Sequence, residues 1–227
     1  MSILILHGWG SCAKNWQQVK ELLENKGLKV FIPDLPGFGQ EPPPAAAWNV
    51  DNYVEWVKDF SAKNNLGQVF LLGHSFGGSV AAKYSLRYPE NIEKLFLASS
   101  AGIRKKTAGK EFLKKISPLF RSFSLLKRIF YRFFVKSDYQ YTSGVMRETY
   151  LNVINEDISG LFSQIKVPTV IIWGEKDDIT PIADAYFIKK EIKNSILEIL
   201  PNVGHRIRSE APEILAAKIL FFLNNGN

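Results

Sequence analysis

The sequence predicts a three-layer α/β fold in one domain, and three observations support it. Its 227 residues suit a single domain with a sizeable core. Short apolar runs alternate with longer amphipathic stretches along the chain, which is typical of a βα repeat. The runs are apolar at consecutive positions, as expected for parallel strands covered on both faces. We therefore expect a mostly parallel six-stranded sheet flanked by helices.

The elements can be assigned in chain order from these patterns. The predicted strands are residues 2–6, 29–33, 69–72, 95–98, 169–173 and 197–200. Apolar stripes at helical spacing predict helices over residues 16–23, 54–62, 77–87 and 214–223. Gly27 follows the first helix and Pro89 follows the third, and both residues are typical helix terminators.

One stretch, residues 103–164, is too long for a simple connection between strands. Its apolar residues recur at helical spacing, so we predict a helical lid or cap insertion there and a core domain of 1–102 and 165–227. The candidates for an apolar substrate pocket in this lid are Phe112, Phe120, Phe123 and Phe130. An equally good interpretation is that these phenylalanines anchor the insertion to the core.

The net charge of +7 is unevenly distributed. Residues 103–136 hold eleven lysines and arginines but one acid, Glu111. A basic face of this kind attracts an acidic carrier protein, an anionic substrate or an anionic surface. A solvated helical face is the alternative interpretation, and we do not expect nucleic acid as a partner.

Cysteine, histidine and hydropathy patterns exclude several classes of protein. Cys12 is the only cysteine, so the chain forms no internal disulfide, and three histidines offer little material for a metal cluster. We expect no metal and no organic cofactor. The sequence has neither an apolar run of the ~18–20 residues that a membrane span needs nor a recognisable signal peptide. A cytoplasmic location is the expectation.

The sequence Gly73-His74-Ser75-Phe76-Gly77-Gly78 follows the third predicted strand and fits the pattern G-x-S-x-G. A strand that turns sharply into a helix needs small residues on both sides of the apex, where the serine is held in a strained conformation. Ser75 is therefore the candidate nucleophile. The alternative is a glycine-rich turn with an incidental serine.

The sequence His7-Gly8-Trp9-Gly10 follows the first predicted strand, where a backbone N–H can help to form an oxyanion hole. The residue after the nucleophile supplies the second donor, so Trp9 and Phe76 are the candidates. A competing interpretation is a dinucleotide-binding loop, G-x-G-x-x-A, with Asp34 as the ribose-binding acid. That interpretation leaves the GHSFGG motif unexplained.

Two further loops carry polar groups at strand ends. The fifth predicted strand ends in WGEKDDITP, with adjacent acids at Asp177 and Asp178, and the sixth is followed by Gly204-His205. Because the carboxyl ends of parallel strands share one edge of the sheet, these groups are expected near Ser75. His205 is the candidate base, and His7 and His74 are interpreted as structural histidines.

The motifs HGWG, DLPGFG, GHSFGG, WGEKDDITP and GHRIRSEAPE resemble, in order and spacing, those of the α/β-hydrolase superfamily. The resemblance covers essentially the whole chain. It implies Ser75 as nucleophile, His205 as base and Asp177 as acid, since the family pattern is W-G-x-x-D-x-x-x-P, with Asp178 as the fallback. It also implies the oxyanion hole at Trp9 and Phe76. A serine at position 75 disfavours the epoxide hydrolases and haloalkane dehalogenases, which have aspartate there.

The sequence departs from the family in two places. Two further strands usually precede HG, and the sheet edge exposed here could pair with a second subunit to form a dimer. Glu41 stands where a serine is usual.

The resemblance implies a serine hydrolase that cleaves a small-molecule carboxylic ester, with an apolar acyl part, through an acyl-enzyme intermediate. A weaker resemblance to carboxylesterases acting on pimeloyl methyl esters of a carrier protein makes a carrier-linked ester one alternative. Acyl transfer, carbon–carbon bond hydrolysis and a non-catalytic ligand-binding scaffold are the others.

Overall fold

The structure, a computed structural model, describes residues 1–104 and 144–224. Its strands are β1 (Ser2–Leu6), β2 (Lys29–Phe31), β3 (Val69–His74), β4 (Ile92–Ala98), β5 (Thr169–Gly174) and β6 (Ser195–Leu200). They form one sheet in the order β2-β1-β3-β4-β5-β6, and every neighbouring pair is parallel. The predicted six-stranded α/β architecture is confirmed.

Helices connect the strands. The α-helices of the described residues are α1 (Gln17–Glu24), α2 (Val50–Lys63), α3 (Phe76–Arg87), α4 (Gly144–Asn155), α5 (Ile182–Glu191), α6 (Ile207–Glu210) and α7 (Pro212–Asn224). Short 3₁₀ helices cover Ala13–Trp16, Pro89–Asn91 and Ser159–Gln164. Among these helices, none combines the length and the hydropathy of a membrane-spanning segment.

The alternation of side chains along β1 explains the three layers. Leu4 and Leu6 belong to a core cluster with residues of α2, α3 and α5. Ile3 and Ile5 point to the opposite face and belong to a second cluster with residues of α1 and α7. Successive side chains of a strand face opposite sides, so a continuous apolar run requires helices on both faces.

The expected lid insertion is described only in its last part. That part contains α4 and the 3₁₀ helix Ser159–Gln164, and Lys83 of α3 forms ion pairs with both Glu156, just after α4, and Asp51 of α2. Phe112, Phe120, Phe123 and Phe130 lie outside the described residues, as does most of the basic segment 103–136. The domain division and the roles of these residues stay predictions.

Candidate active site

Ser75 lies at the sharp turn between β3 and α3. Its φ angle is 53°, in the left-handed region that residues other than glycine rarely adopt. The turn is so tight that a Cβ atom on Gly73 would lie 2.3 Å from the carbonyl oxygen of Gly77. A Cβ atom on Gly77 would lie 2.2 Å from the carbonyl oxygen of Leu6. Strain of this kind persists where the surrounding structure imposes it, and it is common at reactive residues.

The three candidate catalytic residues meet at the carboxyl edge of the sheet, after β3, β5 and β6. His205 Nε2 lies 3.0 Å from Ser75 Oγ. On the other side of the ring, His205 Nδ1 lies 2.9 Å from Asp177 Oδ2 and 3.1 Å from Oδ1. His205 and Asp177 are each 8% exposed. A nucleophile, a base and an orienting acid in this geometry can carry out acyl transfer.

The surroundings of Asp177 keep it ionised. Its Oδ1 accepts hydrogen bonds from the backbone N–H groups of Ile179 and Thr180, and its Oδ2 accepts one from the Thr180 hydroxyl. Burial alone would raise the pKa of this carboxyl. The hydrogen bond and positive charge of His205, with the Thr180 N–H, outweigh burial and lower the pKa of Asp177 to about 2. The neighbouring Asp178, the fallback acid, is exposed.

Trp9 and Phe76, the oxyanion-hole candidates, border the same cavity as Ser75. Trp9 follows β1, and Phe76 is the first residue of α3. Within the described part of the chain, no hydrogen bond uses either backbone N–H. The Trp9 ring packs edge-on against Phe38 and Phe76, with ring centroids 4.9 and 5.5 Å apart, which holds the loop in place.

The cavity has a volume of about 680 Å³, within the range of ligand sites. Part of its wall is apolar and comes from Trp9, Phe76, Tyr150, Val153, Ile154 and Ile179. Another part is polar and comes from Ser11, Asn15, Arg104, Arg206 and Arg208. Helix α4, inside the expected insertion, therefore contributes directly to the site.

Two residues support His205: Thr180, which sequence reasoning missed, and His74, which it interpreted as a structural histidine. Thr180 Oγ1 lies 3.2 Å from His205 Nδ1, and its position in the WGEKDDITP loop could have suggested it. His74 Nε2 donates a hydrogen bond of 2.9 Å to the backbone carbonyl of His205. Burial, followed by the nearby charge of His205, lowers the pKa of His74 to about 3.

His7 and Asp34 both form hydrogen bonds with the backbone of loops near the site. His7 Nε2 accepts a hydrogen bond from the backbone N–H of Leu35 at 2.9 Å. The carboxylate of Asp34 accepts hydrogen bonds from the backbone N–H groups of Ala13 and Gln40, at 2.6 and 2.8 Å. Both oxygens of the Asp34 carboxylate are therefore bonded to loop backbone and are not free to bind a ribose. This argues against the dinucleotide-binding interpretation, which needs Asp34 as the ribose-binding acid.

The family follows from a direct match. A family model described as the alpha/beta hydrolase fold matches residues 2–143, which is more than half of the chain. The chain belongs to the α/β-hydrolase fold family. With the lipase and esterase relatives described next, this membership identifies it as an α/β-fold hydrolase enzyme.

Similar proteins carry the names of ester-cleaving enzymes. This α/β-hydrolase is 29% identical over 255 residues to monoacylglycerol lipase ABHD6 of Homo sapiens, covering 98% of the chain and 75% of the relative. It is 25% identical over 230 residues to Lipase 1 of Psychrobacter immobilis, covering 89% and 70%. The esterase EaEST of Exiguobacterium antarcticum superimposes with a TM-score of 0.78 at 22% identity, covering 99% and 92%, which shows a shared fold.

Proposed function

We propose that this α/β-hydrolase is a serine esterase that cleaves a carboxylic ester through Ser75, His205 and Asp177. The observation that carries the proposal is the position of the His205 imidazole. It lies within hydrogen-bond distance of the Ser75 hydroxyl on one side and of the Asp177 carboxylate on the other. The lipase names of the relatives support an ester as the substrate.

In the first half of the reaction, Ser75 Oγ attacks the ester carbonyl while His205 Nε2 takes the hydroxyl proton. The negative charge that develops on the carbonyl oxygen is stabilised by the backbone N–H groups of Trp9 and Phe76. His205 then gives the proton to the departing alkoxide, which leaves as the alcohol. The acyl group remains attached to Ser75.

In the second half, His205 takes a proton from water, and the resulting nucleophile attacks the acyl-enzyme carbonyl. Collapse of the tetrahedral intermediate breaks its bond to Ser75 Oγ, which recovers a proton from His205. The acid product leaves. Throughout both halves, Asp177 holds His205 in the tautomer with the proton on Nδ1 and stabilises the imidazolium form.

The apolar part of the cavity indicates a substrate with an apolar acyl part. Tyr150, Val153 and Ile154 of α4 border the cavity beside Phe76. Hydrophobic contact with such a wall contributes about 0.8 kcal/mol for each buried methylene group. We therefore expect medium-chain acyl esters to be better substrates than acetate esters.

The test is hydrolysis of p-nitrophenyl acetate, butyrate, octanoate and laurate by wild type, Ser75→Ala and Ser163→Ala. Ser163 is an exposed serine outside the cavity and serves as the matched control. Ser75→Ala is expected to lower kcat by about 10⁴-fold or more, while Ser163→Ala keeps wild-type activity. Equal hydrolysis by wild type and Ser75→Ala would contradict the proposal. Labelling of wild type, but not Ser75→Ala, by a fluorophosphonate reports the nucleophile independently of substrate choice.

A further inference from the structure

A partly buried arginine lies in the cavity without a role in the proposed reaction. Arg208, on the short helix α6, lies three residues after His205 and borders the same cavity as Ser75. The residue is half-buried, and its Nε atom is buried with no hydrogen-bond partner in the part of the chain that the structure describes. A guanidinium has five N–H donors, so an unused buried donor indicates an absent acceptor.

The carboxylate closest along the chain is already engaged. Glu210 accepts hydrogen bonds from the backbone N–H groups of Gly204 and Arg206, at 2.6 and 3.0 Å. Over residues 1–104 and 144–224, Arg208 forms no ion pair. Arg104 also borders the cavity, and Asp157 and Asp184 attract its charge.

The surroundings make the positive charge of Arg208 less favourable in the free protein than it would be in water. Burial lowers the pKa of Arg208 and the neighbouring Arg206 lowers it further, while the charge of Glu210 opposes this shift in part. Burying a charge is costly unless it is paired and hydrogen-bonded. Hydrophobic packing often buries the methylene groups of an arginine and leaves its guanidinium exposed. In Arg208 the guanidinium itself contains a buried donor, Nε, that has no partner among the described residues.

Other polar groups lie at the same part of the cavity. The 3₁₀ helix Ala13–Trp16 packs against α6, and the Ser11 hydroxyl accepts a hydrogen bond from the Asn15 amide at 3.3 Å. Ser11, Asn15 and the exposed Arg206 all border the cavity. Two cations and two neutral polar groups therefore face a common space, in contrast to the apolar wall formed by α4.

We propose that Arg208, assisted by Arg206, binds an anionic group on the substrate, a carboxylate or a phosphate, within the same cavity as Ser75. The inference rests on the proposed esterase function and names its substrate class, an ester with both an apolar and an anionic part. The guanidinium plane offers two parallel N–H donors to two oxygens of such a group, a geometry specific for oxyanions. Both arginines follow β6 in the chain and so do not belong to the basic segment 103–136.

The experiment compares p-nitrophenyl esters of equal acyl length that end in a carboxylate, a phosphonate or a neutral methyl ester. Wild type is measured beside Arg208→Gln, which removes the charge, and Arg208→Lys, which keeps it. Lys193→Gln removes an equal charge from an exposed position just before β6, at the opposite edge of the sheet from the site. Whichever anionic ester has the higher kcat/KM identifies the group as carboxylate or phosphate.

We expect Arg208→Gln to lower kcat/KM for the anionic esters by about 10- to 100-fold and to change the neutral ester by less than about 3-fold. Arg208→Lys should retain part of the preference, and Lys193→Gln should retain all of it. An equal loss on all three esters would show that Arg208 has only a structural role and would overturn the inference. Unchanged kinetics in Arg208→Gln would also overturn it.

A measurement of anion binding tests this inference independently of the esterase proposal. Glutarate and inorganic phosphate are titrated against wild type, Ser75→Ala and Arg208→Gln, with the shift in Tm as the readout. We expect one anion to raise Tm in wild type and Ser75→Ala but not in Arg208→Gln. Absence of ester hydrolysis with this pattern of shifts would refute the esterase and leave the anion site standing. Absence of any arginine-dependent shift would refute the anion site whatever the kinetics.

Discussion

Asp177 accepts three hydrogen bonds from Ile179 and Thr180 in addition to its contact with His205. These donors fix both carboxylate oxygens before any substrate binds. Because an ionised carboxylate only accepts hydrogen bonds, His205 Nδ1 must carry the proton and Nε2 is left free to accept one from Ser75. The loop that follows β5 therefore sets the tautomer of His205, the proposed base, which lies 28 residues further along the chain.

The first residue-scale prediction concerns this tautomer. In Asp177→Asn, an amide NH₂ can face His205 Nδ1 and favour the tautomer with the proton on Nε2, which cannot accept the Ser75 proton. We expect kcat to fall by about 10³- to 10⁴-fold with KM little changed. Asp178→Asn is the matched control, since Asp178 is exposed, and it should keep wild-type kcat. The reverse pattern would make Asp178 the acid.

A second residue-scale prediction concerns Thr180, whose hydroxyl contacts both Asp177 and His205. Thr180→Val keeps the shape and the backbone N–H but removes the hydroxyl. We expect kcat to fall by about 10- to 100-fold, as for loss of one hydrogen bond to a charged group, while KM stays near wild type. Thr180→Ser should recover most of the activity. If serine restored nothing, lost packing rather than the lost hydroxyl would explain the defect.

At the scale of elements, the close approach of α3 to β1 positions Ser75, the proposed nucleophile. The carbonyl oxygen of Leu6, at the end of β1, would lie 2.2 Å from a Cβ atom on Gly77. Real Cβ atoms essentially never approach so closely, so any side chain there would push α3 away from the sheet. Gly77 is thus required by the contact between two elements, because its own position in the helix would accept alanine.

This contact gives a prediction in which two effects have opposite signs. Helix propensity alone would make Gly77→Ala more stable by about 1 kcal/mol. The steric conflict should reverse the sign, and we expect the free energy of unfolding in urea to decrease by about 2 kcal/mol or more, with loss of esterase activity. Gly160→Ala is the control because, apart from its chain neighbours and its own helix, no atom of the described residues lies within 4 Å of an added Cβ. A stabilised, active Gly77→Ala protein would show that the turn is looser than described.

The boundaries of the elements show what sequence patterns could predict. All six strands were placed correctly in order, because parallel strands buried on both faces are apolar throughout. Strand β4 was expected from residue 95, but it begins at Ile92. The buried Lys94 interrupts the apolar run there, and its ammonium group donates a hydrogen bond to the backbone carbonyl of Phe222. A partner 128 residues away leaves no signal in the local pattern.

In the candidate site too, what local sequence patterns indicate could be predicted but long-range contacts could not. Ser75, Asp177 and His205 could be proposed from sequence because each follows directly on a strand, and parallel strands bring their carboxyl ends together. Arg208 could not be, since its importance depends on how α6 packs against the 3₁₀ helix Ala13–Trp16. Among the described residues its Nε has no hydrogen-bond partner, and that property of the folded molecule has no counterpart in the spacing of residues along the sequence.

At the scale of the whole molecule, two buried histidines tie strand ends to distant loops. His7, after β1, bonds to the backbone of Leu35, and His74, at the end of β3, bonds to the carbonyl of His205. His74 Nδ1 is buried and has no hydrogen-bond partner among the described residues. A protonated ring would need an acceptor at that atom, so the folded protein requires neutral His74.

The last prediction is that this requirement makes stability depend on pH. Burial lowers the pKa of His7, and burial with the charge of His205 lowers the pKa of His74 to about 3, against 6.5 for the ordinary side chain. Below about pH 6.5 the unfolded chain binds protons that the folded chain does not. The free energy of unfolding therefore decreases as the pH is lowered, by up to about 1.4 kcal/mol per pH unit for His74. Asp177, with a pKa of about 2, adds its own loss only below about pH 4.

The measurement is the free energy of unfolding in urea from pH 7 to pH 4. His74→Gln keeps a side-chain N–H donor and cannot titrate, so its slope should be shallower than that of wild type by about 1.4 kcal/mol per pH unit between pH 6 and pH 4. Lys193→Gln, at an exposed position far from both histidines, is the control and should match the wild-type slope across this range. If His74→Gln and wild type had equal slopes, proton uptake by His74 would not limit acid stability. If His74→Gln were too unstable to measure, His74→Asn would provide the same comparison.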